Sequence, residues 1–288
     1  MTTPPLHSSS ALHHSAFYRF APLPQPRLAA DAVRAAARGL QGSVVLASEG
    51  INGTVAGTSA AVNLFEATIT GADFLGGAFS DMAFKRSACL HPPFGRLKVS
   101  VKPEIVALGL AEAVGASTAL PAPDENDPSH LSPGAWRALL AQGQAVVLDN
   151  RNHFEYRLGH FRGAQDPQVH NFRDFVAYVQ AHAPTWRAQH KPVAMYCTGG
   201  IRCDKTAPWL RSLGLQVWQL DGGILNYFAQ LPDAAQDWQG ECFVFDKRVA
   251  LDTQLQETAR TADEVFDPRH PDEAWRLQRA RQLDAGPG

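Results

Sequence analysis

A cysteine stands at the head of a short glycine-bearing segment, Cys197-Thr198-Gly199-Gly200-Ile201-Arg202. The apolar run Pro192-Val193-Ala194-Met195-Tyr196 precedes it and Cys203-Asp204-Lys205-Thr206-Ala207-Pro208-Trp209-Leu210 follows, so the segment reads as a tight loop from a strand into a helix. The glycines let successive backbone N–H groups turn toward one point, the helix adds the positive end of its macrodipole, and Arg202 adds a full charge. Each of these lowers a thiol pKa and favours the nucleophilic thiolate. A lone cysteine in an apolar strand is by default a small buried hydrophobe, and the loop is what argues otherwise. Its length selects further: four residues separate Cys197 from Arg202, a gap suited to holding a sulfur atom rather than a tetrahedral oxyanion. In such a cradle the thiolate attacks a sulfur donor, becomes a persulfide and is stabilised by converging N–H groups.

The elements that position this loop alternate. Ser132-Pro133 opens a helix, with Ser as N-cap and Pro at the first helical position. A strand over 145–148, a helix near 171–182, a strand over 193–196, a helix from about 203 to 213, a strand over 216–220 and a helix near 224–230 follow. That order predicts a parallel sheet covered on both faces, with the cysteine loop at the carboxyl end of a strand, where open α/β folds build their sites. Pro208 fits the following helix only if it falls in the first turn.

The front of the chain has a different rhythm. After Phe17-Tyr18-Arg19-Phe20 come an Ala-rich helix over 29–40, strands over 43–47 and 53–57, a helix near 60–69 and a strand over 97–102. Strand, helix, strand, strand, helix, strand predicts a ferredoxin-like sandwich, with Asn52-Gly53 as a type I′ hairpin turn. The last strand sets Lys98 and Lys102 on one face; with Lys85, Arg86 and Arg96 they are candidates for a patch that binds a phosphate backbone, an ordinary solvated face being the alternative.

Composition bounds the rest. The chain has 288 residues, 45% hydrophobic and 19% charged, enough for two cores. The expected division is a frayed tail over 1–16, a ferredoxin-like domain over 17–113, a Pro- and Asp-containing linker over 114–130, an α/β domain over 131–249, and a charged extension over 250–288 with a short helix at 272–283. A net charge of −2 gives no global attraction to nucleic acid, so any such binding has to be local. Cys89, Cys197, Cys203 and Cys242 show no repeated Cys-x-x-Cys spacing, which argues against a disulfide scaffold and a zinc site and fits a reducing cytoplasm. Core packing is expected for Cys89 and Cys242, and a helix-face position for Cys203. The first residues lack a cationic start and a long apolar stretch, so neither a signal peptide nor a membrane span is expected, and His7, His13 and His14 fall in the tail.

Two resemblances add to this reading. Asp149-Asn150-Arg151-Asn152-His153-Phe154-Glu155-Tyr156, Gly159-His160-Phe161-Arg162-Gly163-Ala164 and the cysteine loop together resemble the rhodanese domain, in which Asp149 and Arg151 would support the site from a strand end as an ion pair. The longer set Ser48-Glu49-Gly50-Ile51-Asn52-Gly53-Thr54-Val55-Ala56-Gly57, Arg96 to Val106, Tyr196 to Cys203, Leu220-Asp221-Gly222-Gly223-Ile224 and Cys242 to Ala250 is similar to the rhodanese-like tRNA uridine(34) hydroxylase family, over about 17–250. The resemblance implies an acylphosphatase-like form of the ferredoxin-like sandwich followed by a rhodanese-like domain. It further implies oxygen-dependent conversion of wobble uridine to 5-hydroxyuridine, Cys197 as the active-site thiolate or persulfide, the anticodon region of tRNA as partner, and molecular oxygen with an electron donor as co-reactants. The chain departs from many relatives in having no cysteine after Cys242, and Thr206-Ala207-Pro208 differs from the usual small-residue helix start. No resident cofactor is identifiable: there is no dinucleotide glycine fingerprint after a strand and no two-His-one-carboxylate cluster. A sulfurtransferase using the same cysteine, and a tRNA-binding module with a vestigial loop, stand as the alternative readings.

Overall fold

Leu12–Phe20 sets Phe17 and Ser15 on one face and Tyr18 and Phe20 on the other, the two-residue period of a strand. In the computed structural model, which describes residues 12–89, 91–110 and 127–284, this segment is β1, paired on both sides. With α1 (Pro26–Ala36), β2 (Gln41–Ala47), β3 (Gly50–Thr58), α2 (Ser59–Ile69), β4 (Phe84–Cys89) and β5 (Leu97–Val101) it builds the first of two units, which ends at Ile105. The sheet order is β4-β1-β3-β2-β5. The first four strands have the ferredoxin-like arrangement; β5 is an addition, parallel to β2 at the far edge. The strand expected to close the sandwich is therefore this extra edge, and β4 takes the fourth place. One face carries Phe17, Val44, Leu46, Ile51 and Val55, all buried against Val33, Val62, Phe65 and Ile69 of the two helices.

Three expectations for this unit are corrected. The tail stops short of 16, because residues from Leu12 onward hydrogen-bond into the sheet; His13 and His14 are strand residues, His14 buried, and His7 lies outside the described residues. Asn52-Gly53 is not the turn: both sit inside β3 opposite Val45 and Val44, and the chain reverses at Ser48-Glu49, between the paired Ala47 and Gly50. Gly50 has φ 145°, and a Cβ there would meet the Arg19 carbonyl oxygen at 2.0 Å, so the close strand approach demands glycine. Asn52 instead donates to the Ile105 carbonyl at 3.0 Å, and the Ile105 N–H donates to Glu49 at 2.7 Å. The domain ends before 113, since Leu108 and Leu110 are buried in the core of the second unit.

The second unit begins at Val106; of the expected linker, 114–126 lies outside the described residues. Its elements are β6 (His130–Leu131), α3 (Pro133–Gln142), β7 (Val146–Asp149), α4 (His153–Leu158), β8 (Gly159–Phe161), α5 (Phe175–Ala188), β9 (Val193–Tyr196), α6 (Ile201–Ser212), β10 (Val217–Leu220), α7 (Gly223–Gln230), β11 (Trp238–Gly240), β12 (Cys242–Phe243), β13 (Ala250–Leu251), α8 (Ala262–Val265) and α9 (Pro271–Asp284). Four parallel strands run in the order β6-β10-β9-β7. Both faces are covered: Val146, Leu148, Val193 and Met195 pack with Phe175, Val179 and Leu210, while Val147, Ala194 and Tyr196 pack with Trp136, Ile224 and Tyr227. Ser132 caps α3 as expected, its hydroxyl accepting from the Ala135 N–H at 3.3 Å. Pro208 lies inside α6 beyond the first turn, where it removes one helical hydrogen bond. The extension is more than a charged tail: Ala262, Val265, Phe266 and Leu277 bury themselves against Phe154 and Phe243. Among the described residues no helix is long and apolar enough to cross a membrane.

Candidate active site

β9 delivers Cys197 to the carboxyl edge of the parallel sheet, and α6 begins four residues later. The thiol is buried, 1% exposed. The Gly200 N–H donates to its sulfur at 3.1 Å, and the N–H groups of Arg202 and Cys203 in the first turn of α6 do the same. Gly200 reaches this geometry at φ 103°. Burial pushes the Cys197 thiol up, but the Cys203 thiol donating to its sulfur, the Arg202 charge and the backbone N–H groups outweigh it and bring its pKa down to about 6. At neutral pH the sulfur is a thiolate.

Cys203 is thus a neighbour of Cys197, not only a helix-face residue. Burial and the hydrogen bond to Cys197 hold its own thiol well above the ordinary range, and Asn150 Nδ2 approaches its sulfur at 3.8 Å. Cys242 is also buried, its pKa pushed up to about 12 by burial, and Cys89 is buried in the first unit. All four cysteines are free.

The loop is clamped from behind by the N-terminus of α7. The Ile224 and Leu225 N–H groups donate to the Cys197 and Thr198 carbonyls at 3.0 and 3.1 Å. Gly223, at φ 70°, makes this approach possible: a Cβ there would lie 2.5 Å from the Cys197 carbonyl oxygen. With those carbonyls held by α7, the Gly200 N–H points at the sulfur.

Arg202 is fixed by Glu155, which no reading of spacing singled out. Its guanidinium donates to Glu155 Oε2 at 2.9 Å and Oε1 at 3.3 Å, and the carboxylate is fully buried. Glu155 also closes a capping box with Asn152 at the start of α4, the one sequence signal that could have marked it. The Arg202 guanidinium lies between two rings, with its central carbon 5.7 Å from the Phe172 centroid and 5.6 Å from that of Phe245. Asp149 and Arg151 form a wholly buried pair, Nε to Oδ1 at 2.8 Å and Nη2 to Oδ2 at 2.7 Å, and Tyr196 Oη donates to the same carboxylate at 2.7 Å. They brace the strand ends below the loop, and among the described residues neither is hydrogen-bonded to Cys197.

The five basic candidates in the first unit do not come together. Lys85 and Arg86 are on β4 and Lys98 is on β5, opposite edges of the sheet with three strands between, ~19 Å apart at the usual strand spacing. Arg86 is bonded through both Nε and Nη2 to the buried Glu66 carboxylate. Lys85 lies over the Tyr18 ring at 5.3 Å. Arg96, Lys98 and Lys102 are exposed along the β5 edge. Among the described residues no group of His, Cys, Asp and Glu is arranged to hold a metal ion.

A cysteine cradle at the carboxyl edge of a parallel sheet, preceded in the chain by a ferredoxin-like sheet unit, defines a two-domain rhodanese-type protein. Accordingly, residues 12–105 match the UPF0176 acylphosphatase-like domain and residues 132–230 the rhodanese-like domain. The chain is 42% identical over 251 residues to tRNA uridine(34) hydroxylase of Bradyrhizobium diazoefficiens, covering 86% of this chain and 94% of that one. Its counterpart in Nitrobacter winogradskyi is 40% identical over 264 residues, covering 88% and 96%, and that in Deinococcus radiodurans 41% over 246 residues, covering 84% and 77%. The chain belongs to the tRNA uridine(34) hydroxylase family.

Proposed function

We propose that this chain hydroxylates uridine 34, the wobble base of tRNA, to 5-hydroxyuridine in the cytoplasm, with Cys197 as the reacting sulfur and the anticodon region as the part of tRNA it engages. The observation that carries this is the identity of about 40% over most of the chain to proteins named for that activity. The site supplies the chemistry the reading needs. A thiolate with a pKa of about 6, or its persulfide, adds to one carbon of the uracil double bond and pushes electron density onto the neighbouring carbon. Molecular oxygen, two electrons from an external donor and a net two protons then give the hydroxyl group and water, and loss of the proton from the hydroxylated carbon with expulsion of the sulfur restores the double bond and the Cys197 thiolate. Arg202 and the loop N–H groups hold the sulfur as an anion before attack.

Nucleosides from tRNA of a strain lacking this gene test the proposal, with complementation by wild type or Cys197→Ala. Rescue of 5-hydroxyuridine by wild type alone is the expected result; nucleosides unchanged throughout would overturn it. The convergence of three backbone N–H groups on one sulfur also suits a sulfurtransferase. Rapid formation of thiocyanate from thiosulfate and cyanide, without any change in tRNA nucleosides, would favour that second reading.

A further inference from the structure

Phe245 is 58% exposed, yet it is firmly placed. It sits where β12 and β13 reverse, in a turn tied by the Val244 N–H to the Val249 carbonyl at 2.9 Å and by a buried pair in which Arg248 Nε and Nη2 donate to Asp246 at 2.9 and 2.7 Å. Its ring meets Phe243 edge-on at 4.9 Å and lies 5.6 Å from the Arg202 guanidinium, the same group whose charge lowers the Cys197 pKa. This solvent-facing aromatic touches the nucleophile's cation directly, and the part of its ring that Phe243 and Arg202 do not cover is open to a ligand. In the loop after Cys197, Thr198 Oγ1 is buried with no hydrogen-bond partner among the described residues.

We infer that Phe245 is the surface on which the target pyrimidine stacks when it is presented to Cys197. The inference rests on the tRNA reading above. Because the Cys197 sulfur is buried, a base that reaches it must first leave its neighbours in the RNA, and enzymes acting on single bases recover the lost stacking on aromatic rings and guanidinium planes. Phe245 offers such a ring, backed by the Arg202 guanidinium with which it is in contact. The other exposed aromatic of this unit, Trp275, adjoins Arg276 and makes no contact with Arg202 or Cys197 among those described.

The test uses the full chain and an anticodon stem-loop RNA carrying 5-iodouridine at position 34. Irradiation followed by tandem mass spectrometry should place the crosslink on Phe245. Phe245→Leu should lose that crosslink and lower kcat/KM for 5-hydroxyuridine formation by about tenfold or more, while Phe245→Tyr retains most of both. The pH midpoint of Cys197 alkylation should be unmoved in either variant. A crosslink elsewhere with full turnover by Phe245→Leu would overturn the inference, as would a Phe245→Leu defect accompanied by a shifted thiol midpoint, which marks a merely structural role. Crosslinking needs no turnover, so a wild-type chain that makes no 5-hydroxyuridine yet crosslinks at Phe245 would sink the hydroxylase reading and leave the stacking surface supported.

Discussion

The low pKa of Cys197 is a balance among groups that can be removed one at a time. Arg202 cannot be changed without stranding the buried Glu155, and the backbone donors cannot be deleted, but the Cys203 thiol can. A hydrogen bond to a charged group is worth about 1.5–3 kcal/mol and a pKa unit about 1.36 kcal/mol. Cys203→Ala should therefore raise the Cys197 midpoint by about one to two units, whereas Cys203→Ser keeps a donor and should leave it near 6. The rate of iodoacetamide alkylation against pH reads this directly: it rises through the midpoint and is flat above it. An unmoved midpoint in Cys203→Ala would remove Cys203 from the account. The sign for stability follows from the same values. The folded thiol titrates below an unfolded one at about 8.5, so its contribution is complete above that value and is lost as pH falls through about 6.

At the scale of elements, the site depends on α7 as much as on α6. An alanine at Gly223 would have to adopt a φ of 70° and place its Cβ against the Cys197 carbonyl, so Gly223→Ala should displace the loop, raise the alkylation midpoint and abolish product formation, at a cost of about 1–3 kcal/mol in stability. Gly134→Ala in α3 meets open space and should change neither activity nor midpoint; parallel loss in both variants, read by product formation and thermal melting, would refute the clamp. The cysteine loop, its strand and the alternating second unit were legible because continuous apolar runs and the Ser132 cap are local signals. β4 was not, since Phe84-Lys85-Arg86-Ser87-Ala88 offers little apolar contrast and is held by β1, far away in sequence. Asn52-Gly53 misled because register across β2 and β1, which sets Gly53 opposite Val44 and Phe17, overrode the turn preference of the pair. Glu155 and Phe245 acquire their roles only through contacts with Arg202 across 47 and 43 residues of chain, a distance no periodicity spans.

For the molecule as a whole, a net charge of −2 means that attraction to tRNA has to come from a few cations in particular places. Arg86 is neutralised by Glu66, so Arg86→Ala should strand a buried carboxylate and lower the melting temperature of the first unit rather than weaken RNA binding. Lys98 and Lys102, exposed at the β5 edge, have no such ion pair among the described residues. If they contact phosphates, Lys98→Ala/Lys102→Ala should lower tRNA affinity and reduce the slope of log K against log salt by about one for each lysine removed. Lys85 is at the opposite edge, beyond the distance at which substitutions couple, so Lys85→Ala should add its own effect independently. Filter binding of tRNA over a range of salt concentrations separates the cases. A slope unchanged in the β5-edge pair and reduced in Lys85→Ala would move the RNA path to the β1–β4 edge, where the Lys85 ammonium already lies over Tyr18 and a base could stack beside a phosphate contact.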